Sequence, residues 1–337
     1  MPETNLAEVK AAGFNLVIEG PTREYLDEAH SNGLKVLART SPFLVLTNHA
    51  EARRIQRFDS HPALWGWYTI DEPDLNRIPP ATVAKVHRKL NRLARKPTVL
   101  VLMSGSSAIH YGDFADAVAV DFYPVPWAPL SQFGKEMKLA RYAIEPRPYH
   151  AILQAFDWSA FPELIDTTKP LRVPSYDELR CMVYMALAQR AKGLFFYTYR
   201  ARDWELTKSP LWTDLQYIVA EINLRLPFFT AESLWWSPQF DYLAGSDSMY
   251  NEVREGKITL VLLQVREGNA AVPRGRYALA INTTSESVPF ELQLPHTGDT
   301  VPVLGTSSPI PLTAGLIQKT FGPHEVICFG PLDSTGL

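Results

Sequence analysis

The sequence predicts a TIM-type (β/α)8 barrel that lacks its first strand in this chain, followed by an all-β, sandwich-like domain. Three observations lead there. Strands and helices alternate from the first residues to about residue 225, the pattern of a parallel sheet with right-handed crossovers. Two strands run from apolar residues straight into acids and a proline, as strands do when they deliver a carboxylate to the rim of a covered core. From about Thr230 the texture changes to short β-rich runs separated by turn residues, without a convincing long helix. At 337 residues the chain has the length of a barrel plus a smaller domain, expected at 1–228 and 229–337.

Taken in order, Leu6 to Ala12 reads as a short helix stopped by Gly13, and Phe14 to Glu19 as a strand ending in an acid. Thr22 to Asn32 carries Tyr25, Leu26 and Ala29 at helical spacing and stops at Gly33, after which Leu34 to Ala38 is strand again. A helix from about Asn48 to Phe58 leads into the strand that ends at Asp71 and Glu72. The next helix opens after Pro79-Pro80 and sets Val83, Val86, Leu90 and Leu93 on one face, with Arg92, Arg95 and Lys96 near its negative end. Two strands follow, Thr98 to Met103 and Ala117 to Pro124, then a helix over roughly Leu130 to Ile144 and the strand His150 to Phe156. Ser175-Tyr176-Asp177-Glu178 spells a capping box for a long apolar helix ending at Lys192-Gly193. The strand Leu194 to Tyr199 and an amphipathic helix, Leu211 to Leu226, complete the alternating part. Beyond it, strands are expected at Lys257 to Val265, Tyr277 to Asn282, Val288 to Leu294, Thr300 to Leu304 and Glu325 to Phe329.

About seven strand-helix units precede the β domain, against the eight of a closed barrel. Because the chain opens with a helix leading to a strand, the missing strand is expected upstream of Met1. The strand ending at Glu72 is then the fourth and the one ending at Gln154 the seventh. An open doubly wound sheet is the alternative, but no glycine-rich phosphate loop follows any strand, which argues against a dinucleotide site.

A formal charge of −3 with 20% charged residues leaves no basic surplus for nucleic acid or an anionic membrane, and points to a neutral partner. No run approaches the roughly 18 apolar residues of a membrane span, and Met1 to Asn5 is not a signal peptide. Localisation is cytoplasmic by default and secreted if an upstream signal is missing; the oligomeric state is open. Cys181 and Cys328 fall in different expected domains, so no disulfide is indicated. The eight histidines lack ligand spacing, and neither a metal nor a cofactor is expected. Ser104-Gly105-Ser106-Ser107 lacks the Gly-x-Ser-x-Gly elbow of a serine hydrolase. What remains is carboxylate chemistry, in a chain whose eight Trp and 11% aromatics suit stacking on sugar rings.

The most informative stretch is His61-Pro62-Ala63-Leu64-Trp65-Gly66-Trp67-Tyr68-Thr69-Ile70-Asp71-Glu72-Pro73. It resembles the fourth strand of the large clan of β/α-barrel glycoside hydrolases, where Asn-Glu-Pro carries the acid/base glutamate. Ala11 to Val17, Gly33 to Leu37 and Asp121-Phe122-Tyr123-Pro124 are similar to other phrases of such barrels, and the resemblance covers roughly residues 1–225. It implies a glycosidase acting on a carbohydrate, with Glu72 protonating the leaving oxygen and its pKa raised by an aromatic wall such as Trp67 or Tyr68. Asp71 stands where the clan has asparagine; it is a candidate to bind a sugar hydroxyl or to raise the pKa of its neighbour by repulsion. Adjacent Asp-Glu pairs also resemble those of substrate-assisted hexosaminidases.

The main departure lies on the seventh strand, where Gln154 replaces the clan's nucleophilic glutamate, and a carboxamide cannot attack. A second carboxylate then comes from another strand end. Asp121 is the first candidate, because its strand also ends in Tyr123-Pro124; Asp157 and Glu19 follow. An inverting mechanism, or a nucleophile supplied by the substrate, are the other routes. Tyr123, Tyr197, Tyr199, Trp158 and Gln154 are candidates for lining a sugar subsite. The rival readings are a barrel that binds glycans without cleaving them and a barrel enzyme of other chemistry.

Overall fold

The computed structural model describes residues 4–164, 170–235, 240–242 and 257–332, with 240–242 described by backbone alone. The chain divides into two compact units: Met1–Tyr123, Lys135–Phe156 and Gly193–Ala220 form the first, and Pro124–Gly134, Asp157–Lys192 and Glu221–Leu337 the second.

The first unit is built on seven strands: β1 (Leu16–Glu19), β2 (Lys35–Arg39), β3 (Leu64–Tyr68), β4 (Thr98–Leu102), β5 (Ala117–Val120), β6 (Tyr149–Gln154) and β7 (Leu194–Tyr197). They pair in chain order and all in parallel. The helices of the chain up to residue 224, not all of them in the first unit, are α1 (Leu6–Ala11), α2 (Arg23–Ser31), α3 (Pro42–Thr47), α4 (His49–Phe58), α5 (Pro80–Leu93), α6 (Ala108–Tyr111), α7 (Leu130–Ile144), α8 (Tyr176–Ala188) and α9 (Leu211–Leu224). Local chemistry sets their ends. Asn5, Thr22 and Asn48 accept from the free backbone N–H groups of Glu8, Tyr25 and Ala50 at the starts of α1, α2 and α4. Gly13 (φ 94°) and Gly33 (φ 68°) turn the chain out of α1 and α2 through the left-handed region, where other residues are strained. The short α3 was not anticipated, since Pro-Phe-Leu-Val-Leu-Thr has no helical periodicity to read.

A single cluster on the inner face of the sheet joins Leu37, Tyr68, Val99, Val101, Ala117, Ala119 and Ile152 to the half-buried Leu16, Ile18, Trp65, Tyr123, Phe195 and Tyr197. It draws on every strand, so the sheet curls around it as a TIM-like half-barrel does. β4, β5 and β6 are buried at every residue, as strands covered on both faces should be. By contrast, β1 and β7 are half-buried throughout, and each has one sheet neighbour among the described residues.

A two-residue hairpin pairs β8 (Arg200–Ala201) with β9 (Trp204–Glu205) after β7. The second unit carries β10 (Glu232–Leu234), β11 (Phe240–Tyr242), β12 (Ile258–Val265), β13 (Gly275–Asn282), β14 (Val288–Gln293), β15 (Thr300–Val301), β16 (Ile310–Pro311), β17 (Leu316–Phe321) and β18 (Val326–Leu332). Two antiparallel sheets, ordered β10-β12-β13-β18 and β11-β14-β17, send Leu262, Ala278, Ala280 and Phe329 from one and Phe290, Leu292, Ile317 and Phe321 from the other into a common core. The strand β17 escaped the sequence reading because polar Gln318, Lys319 and Thr320 interrupt its apolar residues. The helix α8 opens on the expected capping box, Ser175 with Glu178, and belongs to this unit. Its Cys181 thiol donates to the Asn282 carbonyl of β13 (3.5 Å). Both cysteines therefore lie in one unit rather than in two, and both are buried free thiols.

Candidate active site

The acids that end the strands gather at the C-terminal edge of the curled sheet. Glu72 follows β3 and Asp121 follows β5. The strand between them, β4, brings no acid of its own, yet two consecutive carbonyls of β4 hold both: Glu72 N donates to Val101 O (3.0 Å) and Asp121 N to Leu102 O (3.1 Å). The two carboxyls are hydrogen-bonded to each other. They are in contact, and do not face each other across a cleft. Glu72 adopts φ 42°, a left-handed conformation that costs a side-chain-bearing residue on the order of 1 kcal/mol or more. Asn76 holds it there, its backbone N–H (2.9 Å) and Nδ2 (3.0 Å) both donating to the Glu72 carbonyl. Asp74 pins the same loop to the end of β4 by accepting from Met103 N (3.2 Å) and Ser104 N (3.0 Å).

Burial lifts the Asp121 pKa well above the carboxylate range, and the charge of Glu72 and the hydrogen bond to it raise it further. Of the two, Asp121 is the acid that its surroundings push further toward the protonated form. Its other oxygen is buried without a hydrogen-bond partner among the described residues. Burial also raises the Glu72 pKa; the bond from Asp121 opposes that rise, and repulsion from Asp71 and Asp74 adds to it. Asp71 is exposed and accepts from the Tyr68 hydroxyl. Tyr123, Tyr197 and Phe156 close the wall, with ring centres 5.8 Å apart for Tyr123 and Tyr197 and 5.2 Å for Tyr123 and Phe156. Burial pushes the Tyr68, Tyr123 and Tyr197 phenols up, so they stay neutral hydrogen-bond groups. Among the described residues, no group of three or more His, Cys, Asp or Glu could hold a metal ion.

The fold that holds this cluster is one that solved structures share. The chain overlays a catalytic mutant of Gan42B, a GH42 β-galactosidase from G. stearothermophilus, with a TM-score of 0.62 at 8% identity, covering 97% of this chain and 95% of that one. A GH27 β-L-arabinopyranosidase from Geobacillus stearothermophilus overlays with a TM-score of 0.58 at 13% identity over 94% and 78% of the two chains. This is the fold of barrel glycoside hydrolases. At such identities the likeness shows the fold alone. The chain spans 58% of the β-galactosidase from the psychrophilic Marinomonas ef1, at 12% identity and a TM-score of 0.49. No protein-family signature and no curated protein matches the sequence.

The other candidates are dispersed. Trp67 is fully buried and its Nε1 donates to Asp59 at the end of α4 (3.0 Å), which turns it away from the inner face; the aromatic beside the acids is its neighbour Tyr68. Gln154 is fully buried at the end of β6, its Nε2 donating to the Phe156 carbonyl (3.3 Å). Glu19 folds back to accept from Gly20 N (2.7 Å). The Tyr199 hydroxyl donates to Glu8 (2.9 Å) and its ring meets Trp212 edge-on (6.1 Å). Asp157 and Trp158 fall in the second unit, where Asp157 caps a short 3-10 turn through Ser159 N (2.7 Å) and Trp158 packs against Trp127 (6.4 Å). Sequence reasoning passed over Asp74, Asn76, Phe156 and Arg39, the last with its Cζ 5.4 Å from the centre of the Tyr68 ring. Only Arg39 left a usable trace: it ends a strand at the edge where the acids end theirs.

Proposed function

We propose that the chain is a glycosidase that cleaves an O-glycosidic bond with Glu72 as its general acid, residues 1–228 forming the catalytic barrel and 229–337 a structural β-sandwich. The observation that carries this is the contact between Glu72 and the buried Asp121 inside an aromatic wall. When protonated, Glu72 gives its proton to the leaving oxygen as the C–O bond breaks. The hydrogen bond from Asp121 then stabilises the carboxylate that remains, so Asp121 works as a proton-holding positioning residue. Asp71, oriented by Tyr68, takes a sugar hydroxyl, while Tyr123 and Tyr197 supply stacking surface. A retaining pair stands about 5–5.5 Å apart and an inverting pair further. A contact pair fits neither, so water activation or nucleophilic attack falls to another group, the substrate's own included. The half-buried β1 and β7 support a further strand between them that completes the ring.

Gln154 at the end of β6 favours the second reading, a barrel that binds glycans without cleaving them. Hydrolysis of a panel of aryl glycosides and oligosaccharides separates the two. Activity that falls at least about a hundredfold in folded Glu72→Gln is the expected result; binding without turnover by the folded wild type leaves the binding reading in place.

A further inference from the structure

The inner face of β2 carries Leu37 into the barrel core, and the two-residue period of a strand brings Arg39 to the same face at the C-terminal edge, level with the acids. Its strand end is held rigidly. The Arg39 carbonyl accepts from Arg54 Nη2 (3.3 Å), and the Thr40 hydroxyl donates to the Tyr68 and Thr69 carbonyls (3.0 and 3.1 Å). The guanidinium is exposed, sits 5.4 Å from the centre of the Tyr68 ring, and its charge reaches the Tyr197 phenol as well. Those two tyrosines also lie within the field of Asp71 and Asp121, so Arg39 shares their wall with the acid cluster.

What sets Arg39 apart is its place: Arg53 and Arg57 of α4 and Arg88 and Arg92 of α5 also lack an ion pair among the described residues, but they lie on helices, whereas Arg39 ends a strand beside the acids. Arg39 takes part in no ion pair among the described residues, although Asp71 sits on the hydroxyl of the ring beneath it. A planar group with five donors, set over a neutral aromatic ring and in no ion pair among the described residues, suits a carboxylate taken through two parallel hydrogen bonds. We propose that Arg39 recognises the carboxylate of a hexuronosyl residue, which makes the substrate an acidic glycan. This deepens the glycosidase reading and rests on it. The charge of Arg39 also offsets part of the negative field that Asp71, Glu72 and Asp74 set against such a sugar at the rim.

The test compares aryl hexuronosides with the matching neutral and 6-sulfated hexosides, using wild type, Arg39→Met and Arg39→Lys, each checked for folding by circular dichroism. The wild type is expected to prefer the uronoside in kcat/KM by about tenfold or more, and Arg39→Met to reduce that preference at least about fiftyfold, mainly through KM. Arg39→Lys, which keeps the charge without the fork, is expected to recover part of it. A wild type that prefers the neutral hexoside, or an Arg39→Met variant that slows both sugars alike, overturns the proposal while leaving the glycosidase reading intact. Preference for the sulfated sugar overturns the carboxylate assignment. Should the wild type cleave none of them, calorimetric titration with oligogalacturonate and a neutral oligosaccharide decides. Binding of the acidic ligand that Arg39→Met abolishes upholds the Arg39 assignment against the hydrolase reading, and no binding of it sinks both.

Discussion

Two half-buried glutamates in this chain meet opposite fates. Glu221, in the second unit, is gripped by Arg180 through two bonds of 2.8 Å, by Arg225 at 2.8 Å and by the Tyr184 hydroxyl at 2.7 Å. Burial alone would raise its pKa, but the guanidiniums win and hold it below the ordinary carboxylate value. Glu72, in the first unit, has no cation against it among the described residues. Its partner is another acid, and its pKa goes up. The same side chain at similar depth is a structural anchor in one setting and a proton donor in waiting in the other, and the partners make the difference.

The largest way to break the comparison is to strip the anchor. Arg180→Met leaves Glu221 half-buried with half its charge balance and is expected to cost about 3 kcal/mol of stability in urea denaturation. Glu72→Gln should do the reverse. It is expected to lower kcat/KM at least about a hundredfold, about 2.7 kcal/mol of transition-state stabilisation, with no loss in unfolding midpoint. If both variants cost stability and neither touches turnover, the contrast between anchor and donor is wrong.

The pH dependence sharpens the contrast with a smaller effect. Glu221 has a lowered pKa in the fold, so its contribution is present above the unfolded carboxylate value, about 4, and is lost as pH falls through the folded one. Asp121 has a raised pKa, so its contribution is present below the unfolded value and is lost as pH rises through the folded one. Glu221→Gln should therefore hurt most near neutrality and least in acid. Asp121→Asn should match the wild type in acid and gain on it as pH rises. Chemical denaturation between about pH 4 and pH 8 reads both, and parallel profiles for the two variants would erase the distinction. The smallest expected effect is that of Asn76→Ala, which removes one hydrogen bond from the Glu72 carbonyl, about 1 kcal/mol. It is expected to slow turnover several-fold with little change in KM, because it loosens the acid without removing it.

The fold was legible where punctuation was local. Gly13, Gly33 and the Ser175–Glu178 box mark their boundaries in the sequence and do so in the structure. The half-barrel followed from alternation alone, and the acids at the ends of β3 and β5 from the abrupt stop of apolar runs. What stayed hidden was which way side chains face. A strand buried on both sides is apolar on both sides, so Trp65, Trp67 and Tyr68 look alike in sequence; only the register places Tyr68 beside Asp71 and sends Trp67 to Asp59. Partnerships across the sheet were hidden for the same reason. Nothing near Asp121 in sequence says that it touches Glu72, and nothing near Arg39 says that it lacks a carboxylate. The helix α8 carries a legible start but no sign that it packs on β13, since its apolar residues surround it on every side.

β4 offers no functional side chain, yet Val101 and Leu102 hold Glu72 and Asp121 through neighbouring peptide oxygens. The gap between the two acids is thus gauged by one peptide repeat, a length that substitution cannot alter. Side chains along β4 are free to drift with the core they fill while the ruler beneath the acids keeps its scale. A single inserted residue in β4, by contrast, would part the acids even with every functional side chain still in the chain.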